Sequence, residues 1–366
     1  MINNFNLFED LARSETLKFR NANEFRRTPK PLASDFDFSK IEGMLLGVAI
    51  GDALGATSEG MLPDERKRNF GEIRNYVPGH RSGGKRIGVP TDDTQLTFWT
   101  LQQLIEDGGL VPDNLAQRFC KHHIIGEGTT TKGSLSNYKD SHKPWYRCGL
   151  ESLSNGALMR ISPIVVPYIR IPSESMYADA ALDTMITHNS YANTAACVAF
   201  VSILWSLLSM KSTPKPQWWI DSYCSVAERI EGDALYVPRS PSYQSYKGPL
   251  WRFTRDVVNE ALRRNISVKE ACHEWGSGAN LFETVPSVLY ILATHSQNLE
   301  EALVRAVNDT KDNDSVAAIV GAAVGALHGS THIPDRWKKS LTGRTRSNND
   351  GEVFNLISMA KQKFWS

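Results

Sequence analysis

The sequence predicts an all-α fold, built as a single compact multi-helix domain that follows an N-terminal extension. Three observations support this prediction. Apolar residues recur at helical spacing through most of the chain, alternating strand patterns are scarce, and two segments carry a small residue at every fourth position. The chain shows no repeat period and no long linker, so we expect one main domain.

The N-terminal extension, residues 1–39, differs from the main domain, residues 40–366. It contains one short amphipathic face at helical spacing, formed by Phe5, Leu7, Phe8 and Leu11. The step from Thr28 to Pro29 then favours extended backbone and ends any helix. Two interpretations are open: a chain terminus that docks or frays, and an arm that binds a partner.

The main domain begins with a helix that Asp37 or Ser39 can cap. Glycines recur every four residues along this helix, at Gly43, Gly47, Gly51 and Gly55. A second small-residue stripe, near the other end of the chain, consists of Ala317, Gly321, Gly325 and Gly329. Each helical glycine costs roughly 1 kcal/mol relative to alanine. Such stripes therefore indicate that another backbone packs very close to each helix.

Between the two stripes, apolar residues at helical spacing predict six further helices. They lie within residues 95–106, 192–208, 222–230, 251–264, 285–293 and 299–307. Stretches rich in glycine, proline or polar residues are predicted to be loops, at residues 79–90, 126–143 and 237–249.

Charge and composition exclude several classes of protein. The 366 residues include 41 Lys and Arg against 40 Asp and Glu, a balance that argues against bulk binding to nucleic acid. The longest strongly apolar run, residues 316–327, is too short to cross a bilayer, and no signal sequence is visible. Five scattered cysteines without CxxC spacing are typical of reduced thiols. We therefore expect a cytoplasmic protein that binds neither nucleic acid nor membrane.

Two acidic clusters, residues 91–94 and 309–315, each precede a predicted helix. For either cluster alone the simple interpretation is N-capping, since Asp, Ser and Thr favour that position. Together, four carboxylates with Thr and Ser hydroxyls form an all-oxygen donor set, which suits Mg²⁺, Mn²⁺ or Ca²⁺ and not Zn²⁺. If the carboxylates converge, their mutual repulsion requires compensating cations, and two are expected.

Five segments occur in a fixed order along the chain: GMLLGVAIGDALG (43–55), TDDT (91–94), NGALMR (155–160), TH (187–188) and DNDS (312–315). In this order they resemble the ADP-ribosylglycohydrolase family, over residues 41–337. The resemblance implies an all-α fold with two Mg²⁺ ions in a central cleft, for which Mn²⁺ is a substitute. The second acidic motif departs from the usual pattern at Lys311 and Ser315, which leaves the effect on metal affinity open.

The resemblance also implies roles for individual residues. The implied metal ligands are Thr91, Asp92, Asp93, Asp312, Asp314 and Ser315. The implied ADP-ribose site comprises Gly126, Gly128, Asn155, Gly156 and His188, with a structural hydrogen-bonding role as the alternative for the histidine. The general base is one of Asp92, Asp93 and Asp314. Glu59 lies where some relatives carry a mobile glutamate that gates the substrate, and a solvated helix-end charge is the alternative.

The activity that the resemblance implies is hydrolysis of the bond between ADP-ribose and a protein side chain, with arginine preferred over serine or other linkages. Some members of the family counter an ADP-ribosyltransferase toxin and block its active site with an N-terminal extension. Here the extension offers residues suited to an interface, namely Phe5, Phe8, Arg13, Phe19, Arg20, Phe25, Arg26 and Arg27. The alternatives are a housekeeping enzyme that acts on one endogenous protein and a non-catalytic relative, against which the intact acid set argues.

Overall fold

The computed structural model describes residues 3–346 and 348–365. Its α-helices are α1 (Phe5–Arg13), α2 (Ser39–Gly55), α3 (Pro63–Phe70), α4 (Asp92–Asp107), α5 (Pro112–Phe119), α6 (Thr129–Lys139), α7 (Ser175–Thr187), α8 (Tyr191–Ser209), α9 (Pro216–Glu231), α10 (Leu250–Arg264), α11 (Val268–Trp275), α12 (Leu281–His295), α13 (Leu299–Asp309), α14 (Asn313–His328), α15 (Asp335–Ser340) and α16 (Glu352–Phe364). Within the described ranges the extended pairing consists of isolated bridges alone. The prediction of an all-α fold is therefore confirmed.

Helices α2 and α14 pack backbone to backbone along their small-residue stripes. A Cβ atom on Gly47 would lie 2.0 Å from the carbonyl oxygen of Gly321, and one on Gly51 would lie 2.1 Å from that of Ala317. Because residue numbers rise along one helix while they fall along the other, the pair is antiparallel. This arrangement places the end of α2 beside the start of α14, where the acidic motifs lie.

Helix α8 is the most apolar long element of the core. Its 19 residues have the length and hydropathy of a membrane-crossing helix. It is longer than the run at 316–327, which the sequence analysis took as the longest apolar run. However, 83% of its apolar window is buried inside the protein, where it packs against α7 and α9. A helix that is apolar on all sides and enclosed by other helices is typical of a protein core.

The N-terminal arm, residues 3–39 of the described chain, is docked on the helical body. The ring of Phe8 lies 5.3 Å from that of Phe19 and 4.4 Å from that of Phe25. The side chain of Asn4 donates to the buried carboxylate of Asp179 at 2.7 Å. The arm is therefore docked over its described residues, which begin at position 3. Partner binding by the arm stays a prediction. The boundary at residue 39 stays a prediction.

One loop prediction is wrong. Residues 126–143 contain helix α6, whose sequence TTTKGSLSNYK is poor in strong helix formers. Tertiary packing overrides this low propensity, since Thr131, Ser134 and Leu135 are buried on one side of the helix. The correction matters for the site because α6 begins next to Gly126 and Gly128.

Candidate functional site

The site lies where the end of α2 meets the first turns of α4 and α14. Asp52, a fully buried residue of α2, accepts hydrogen bonds from the backbone N–H groups of Thr91 and Thr94 at 2.8–3.0 Å. It also accepts from both threonine hydroxyls, at 2.8 and 2.5 Å. Asp52 therefore fixes α4 against α2. It was not among the residues predicted from the sequence, although a lone carboxylate within a glycine-rich apolar helix was a usable signal.

The start of α14 is positioned by the close approach of α2. A Cβ atom on Gly55 would lie 2.5 Å from the Cα of Asp314. The neighbouring Asp312 accepts a hydrogen bond from Asn155 Nδ2 at 2.7 Å, which ties the second acidic motif to the segment 155–160, called the central loop below. Asp309, the first residue of the 309–315 cluster, instead pairs with Arg305 at 3.2 Å. Asp312, Asp314 and Ser315, and not Asp309, therefore lie at the site.

Helix capping does not account for the two acidic motifs. Neither Thr91 at the start of α4 nor Asp312 at the start of α14 makes a side-chain capping hydrogen bond. In addition, Oδ1 of Asp93 is buried and has no hydrogen-bond partner among the described residues. An unpaired buried carboxylate oxygen is costly, and a bound cation is the simplest group that would satisfy it. The donor set therefore fits a metal ion.

The carboxylates form two groups that share one member. Oxygens of Glu59, Asp312 and Asp314 lie within 4.8 Å of one another, and so do oxygens of Asp52, Asp93 and Asp314. Asp52 is poorly suited to ligation because its oxygens already accept hydrogen bonds from two threonines. The remaining arrangement, with Asp314 in both groups, is compatible with two adjacent cation positions.

The electrostatics of the site favour a divalent cation. Burial, reinforced by the charge of Asp52, raises the pKa of Asp92 to about 8, and burial raises the pKa of Asp312 to about 6. The pKa values of Asp93 and Asp314 are also raised well above the ordinary carboxyl range, first by burial and then by neighbouring carboxylates. Since a nearby cation favours the ionised form, metal binding would displace protons from this cluster.

A cavity of about 240 Å³ connects these carboxylates to the central loop. Its lining includes an acidic group, made of Glu59, Asp92, Asp93, Asp312, Asp314 and Ser315. It also includes a neutral group, made of Gly126, Gly128, Thr129, Thr130, Thr131, Ser152, Ser154, Asn155 and Gly156. The two groups touch, since a Cβ atom on Gly126 would lie 3.0 Å from the carboxylate of Asp92. All the residues that the sequence nominated for the site line this cavity except Thr91, whose hydroxyl donates to Asp52 at 2.8 Å, and His188.

His188 is fully buried behind the cavity wall. The sequence analysis expected it to line the ADP-ribose site directly. Its Nε2 lies 2.8 Å from the hydroxyl of Ser154, and its Nδ1 lies 2.9 Å from that of Thr187. A Cβ atom on Gly156 would lie 3.0 Å from the imidazole, so the ring sits directly behind this glycine. Burial and the charge of Arg160 lower the pKa of His188 to about 3, which keeps the imidazole neutral. Its contact with the cavity therefore passes through Ser154.

Glu59 lies on an exposed loop that a buried arginine holds in place. Arg66 donates to the hydroxyl of Ser58 at 2.9 Å and to the backbone oxygens of Met61 and Thr310 at 3.0 and 2.7 Å. These bonds join the loop that carries Glu59 to the segment before the second acidic motif. Arg66 was not identified from the sequence because its helix α3 is short and otherwise highly charged.

Comparisons with known proteins give a consistent picture. Residues 33–363 match the family model described as ADP-ribosylglycohydrolase. The chain is 26% identical to ADP-ribosylhydrolase ARH3 of Xenopus tropicalis, over 87% of this chain and 95% of that protein. It is 25% identical to ADP-ribosylarginine hydrolase Tri1 of Serratia proteamaculans, over 93% and 85% of the two chains.

Two further matches extend the comparison. The chain is 24% identical to ADP-ribosyl-[dinitrogen reductase] glycohydrolase of Rhodospirillum rubrum, over 87% of this chain and 95% of that protein. A solved structure titled "ADP-ribosylglycohydrolase-related protein complex" superposes with a TM-score of 0.67 at 23% identity, over 89% of this chain and 98% of that chain. The structural match shows a shared fold.

Proposed function

The chain belongs to the ADP-ribosylglycohydrolase family, and from this premise we propose that it removes ADP-ribose from an arginine side chain of a modified protein in a magnesium-dependent reaction. Membership makes the chain an enzyme of ADP-ribose hydrolysis. The observation that carries the metal dependence is the buried, unpartnered Oδ1 of Asp93 beside two carboxylate groups that share Asp314. The arginine linkage is supported by the similarity to a protein named as an ADP-ribosylarginine hydrolase.

In this proposal two Mg²⁺ ions are held by the six residues that the sequence nominated. Those residues are Thr91, Asp92, Asp93, Asp312, Asp314 and Ser315. Glu59 lines the same cavity and lies close to Asp312 and Asp314. We propose that it is the mobile carboxylate that gates the substrate. A bound divalent cation supplies positive charge that orients sugar hydroxyls and stabilises the ionised carboxylates.

The proposed reaction is a glycosidic hydrolysis. The oxygen of water bonds to the anomeric carbon of the terminal ribose, the bond from this carbon to the arginine nitrogen breaks, and the proton lost by water ends on the leaving guanidine. The transition state resembles an oxocarbenium ion. A carboxylate takes the proton from water, and Asp92 is the best placed of the three candidates because Asp93 and Asp314 are only 1% and 3% exposed.

The neutral part of the cavity lining, at the start of α6, is proposed to receive the nucleotide. Helix α6 begins at Thr129 within this wall, and the N-terminus of a helix favours phosphate through its free N–H groups and its dipole. Gly156 packs against α6, since its Cβ atom would lie 3.3 Å from the hydroxyl of Thr131, and the Nε2 of His188 lies 2.8 Å from the Ser154 hydroxyl. In this proposal the nucleotide lies against α6 and the reacting sugar lies against the carboxylates.

The test is release of free ADP-ribose from an arginine-ADP-ribosylated protein, with Mg²⁺ and with a chelator. We expect release with Mg²⁺ and none with chelator, and restoration when Mn²⁺ or Mg²⁺ is added back. A serine-linked substrate run in parallel reports the linkage preference. Release that is equally fast with chelator would contradict the metal dependence, and release from the serine-linked substrate alone would contradict the arginine preference.

We keep toxin neutralisation by the arm as a second proposal, alongside a housekeeping role on one endogenous protein, as the relative named for dinitrogen reductase acts on one enzyme. Because Phe8 and Phe25 are buried in the docked arm, its exposed arginines are the side chains left to contact a toxin, namely Arg13, Arg20, Arg26 and Arg27. Deleting the arm would unmask the body, so charge reversal of these four arginines is the better test. We expect wild-type protein, and not the reversed variant, to inhibit an arginine-specific ADP-ribosyltransferase toxin; no inhibition by wild type would exclude this role.

We also propose a cytoplasmic location, since the five cysteines are free.

A further inference from the structure

Part of the cavity lining is built from residues that lie outside the helices. Ser152 and Ser154 line the cavity from residues 150–154, called the cavity segment below. The end of this segment bonds to residues 279–281. Its start bonds to residues 187–190, where α7 meets α8, called the junction below. The position of the junction therefore helps to set where the two serines lie.

Three hydrogen bonds connect the junction to the cavity segment. The N–H of Leu150 donates to the carbonyl oxygen of Thr187 at 3.1 Å, and the N–H of Asn189 donates to that of Leu150 at 2.9 Å. The hydroxyl of Ser190 donates to the carbonyl oxygen of Ser152 at 3.0 Å. A shift of the junction would therefore move a serine that lines the cavity.

The N-terminal arm holds the same junction from its other side. The side chain of Asn189 accepts a hydrogen bond from the N–H of Lys18 at 3.1 Å and donates one to the carbonyl oxygen of Thr16 at 2.7 Å. Close by, the guanidinium of Arg20 lies over the ring of Tyr191, 4.3 Å from its centroid. Asn189 thus bonds to the arm through its side chain and to the cavity segment through its backbone.

We propose that Asn189 is a positioning residue through which the arm holds the cavity in the form that binds ADP-ribose. Asn189 does not line the cavity, so it acts through the cavity segment. The junction also carries His188, whose imidazole contacts the Ser154 hydroxyl at 2.8 Å, so a displaced junction would alter a second contact to the cavity lining.

The inference rests on the proposed function, since it takes the neutral part of the lining as the place of the nucleotide. It also links the arm to the substrate. Because coupling between two sites is reciprocal, a partner that lifts the arm would weaken substrate binding, and bound substrate would hold the arm against the body.

The test compares Asn189→Ala with Asn4→Ala, by calorimetric titration with ADP-ribose and by the KM and kcat of ADP-ribose release. Asn4 is the matched control because its side chain also makes two hydrogen bonds from the arm to the body, to Leu110 at 2.8 Å and to Asp179 at 2.7 Å. Neither of these partners lines the cavity.

We expect Asn189→Ala to weaken ADP-ribose binding and to raise KM on the order of tenfold, which is about what the loss of a hydrogen bond costs. Its kcat and its affinity for Mg²⁺ should be unchanged, since the carboxylates lie on other elements. Asn4→Ala should lower the melting temperature at least as much, because Asn4 is only 7% exposed, and should leave KM unchanged.

An Asn189→Ala variant that binds ADP-ribose like wild type would overturn the inference. So would an Asn4→Ala variant that loses affinity to the same extent, because the arm would then act through general stability alone. A second measurement needs no variant: saturating ADP-ribose should slow hydrogen exchange at the Lys18 amide of wild-type protein, and unchanged exchange would also overturn the inference.

Failure of the proposed function has a different signature. Wild-type protein would then bind ADP-ribose and release none from the arginine-linked substrate. The affinities of the two variants for ADP-ribose would still decide the role of Asn189.

Discussion

The close packing of α2 on α14 makes Gly47→Ala strongly destabilising. Its new Cβ atom would lie 2.0 Å from the carbonyl oxygen of Gly321, whereas ordinary contacts begin at 3.4 Å. The helices must therefore separate by about 1.4 Å, since a backbone carbonyl cannot rotate away as a side chain can. Overpacking of this kind costs about 3 kcal/mol or more, against which alanine returns only about 1 kcal/mol of helix propensity.

The net loss of at least about 2 kcal/mol is measurable by thermal unfolding. With an unfolding entropy of about 2.1 cal/mol/K per residue, the chain should melt roughly 3 °C lower than wild type. The matched control is Gly133→Ala in α6, where the new Cβ would meet only the terminal methyl group of Leu150, at 2.9 Å. This control should melt at or slightly above the wild-type temperature.

The same substitution should weaken metal binding, because separation of the two helices moves Asp52 and Asp93 away from Asp314. A Gly47→Ala variant that melts at or above the wild-type temperature would refute the packing argument. A variant that melts lower and still binds Mg²⁺ as tightly as wild type would show that the helix contact does not set the geometry of the site.

Three further predictions follow from single residues. Asp92→Asn should abolish Mg²⁺-dependent release of ADP-ribose with an unchanged melting temperature, and near-normal turnover would contradict its role. Arg66→Met should lower stability by about 3 kcal/mol, because buried carbonyl groups lose their donor, and should also weaken metal binding by freeing the loop of Glu59; calorimetry checks both. Burial raises the pKa of Asp179 to about 7, so the native state holds a proton that the unfolded state releases above pH 4. The free energy of unfolding should therefore fall as the pH rises from about 4 to 7, and Asp179→Asn should remove this part of the slope; a wild-type slope that survives the substitution would assign it elsewhere.

The sequence pattern was informative where one physical cause dominates. Glycines at every fourth position have few explanations besides close backbone packing, and Gly47 does meet Gly321 at that distance. The stripes also place the second acidic motif, because it begins α14 beside the end of α2. The first motif is brought to it by Asp52, which fixes the start of α4 against α2. The fold class therefore follows from residue spacing, whereas the residues of the site followed from the family resemblance.

Other features depend on contacts that no local pattern encodes. Helix α6 forms from a Thr- and Ser-rich segment because it is buried on one side, so a rule based on composition assigned it to a loop. His188 was identified from its motif, but the motif does not show that its imidazole is buried behind Gly156. That burial depends on the packing of the two loops that carry these residues. Asp52 and Arg66 organise the site partly through hydrogen bonds to distant residues, since Thr91 lies 39 positions from Asp52 and Thr310 lies 244 positions from Arg66. Spacing along the sequence does not reveal such contacts.

The central claim is that the motifs at α4 and α14 form one site for divalent cations. Calorimetric titration of chelator-treated protein with Mg²⁺ tests it most directly, with Asp314→Asn as the variant and Asp309→Asn as its control, since Asp309 is engaged by Arg305. We predict two ions per wild-type chain, loss of binding in Asp314→Asn because both carboxylate groups include this residue, and retention of binding in Asp309→Asn. Wild-type protein that binds no Mg²⁺, or an Asp314→Asn variant that binds it like wild type, would contradict the account.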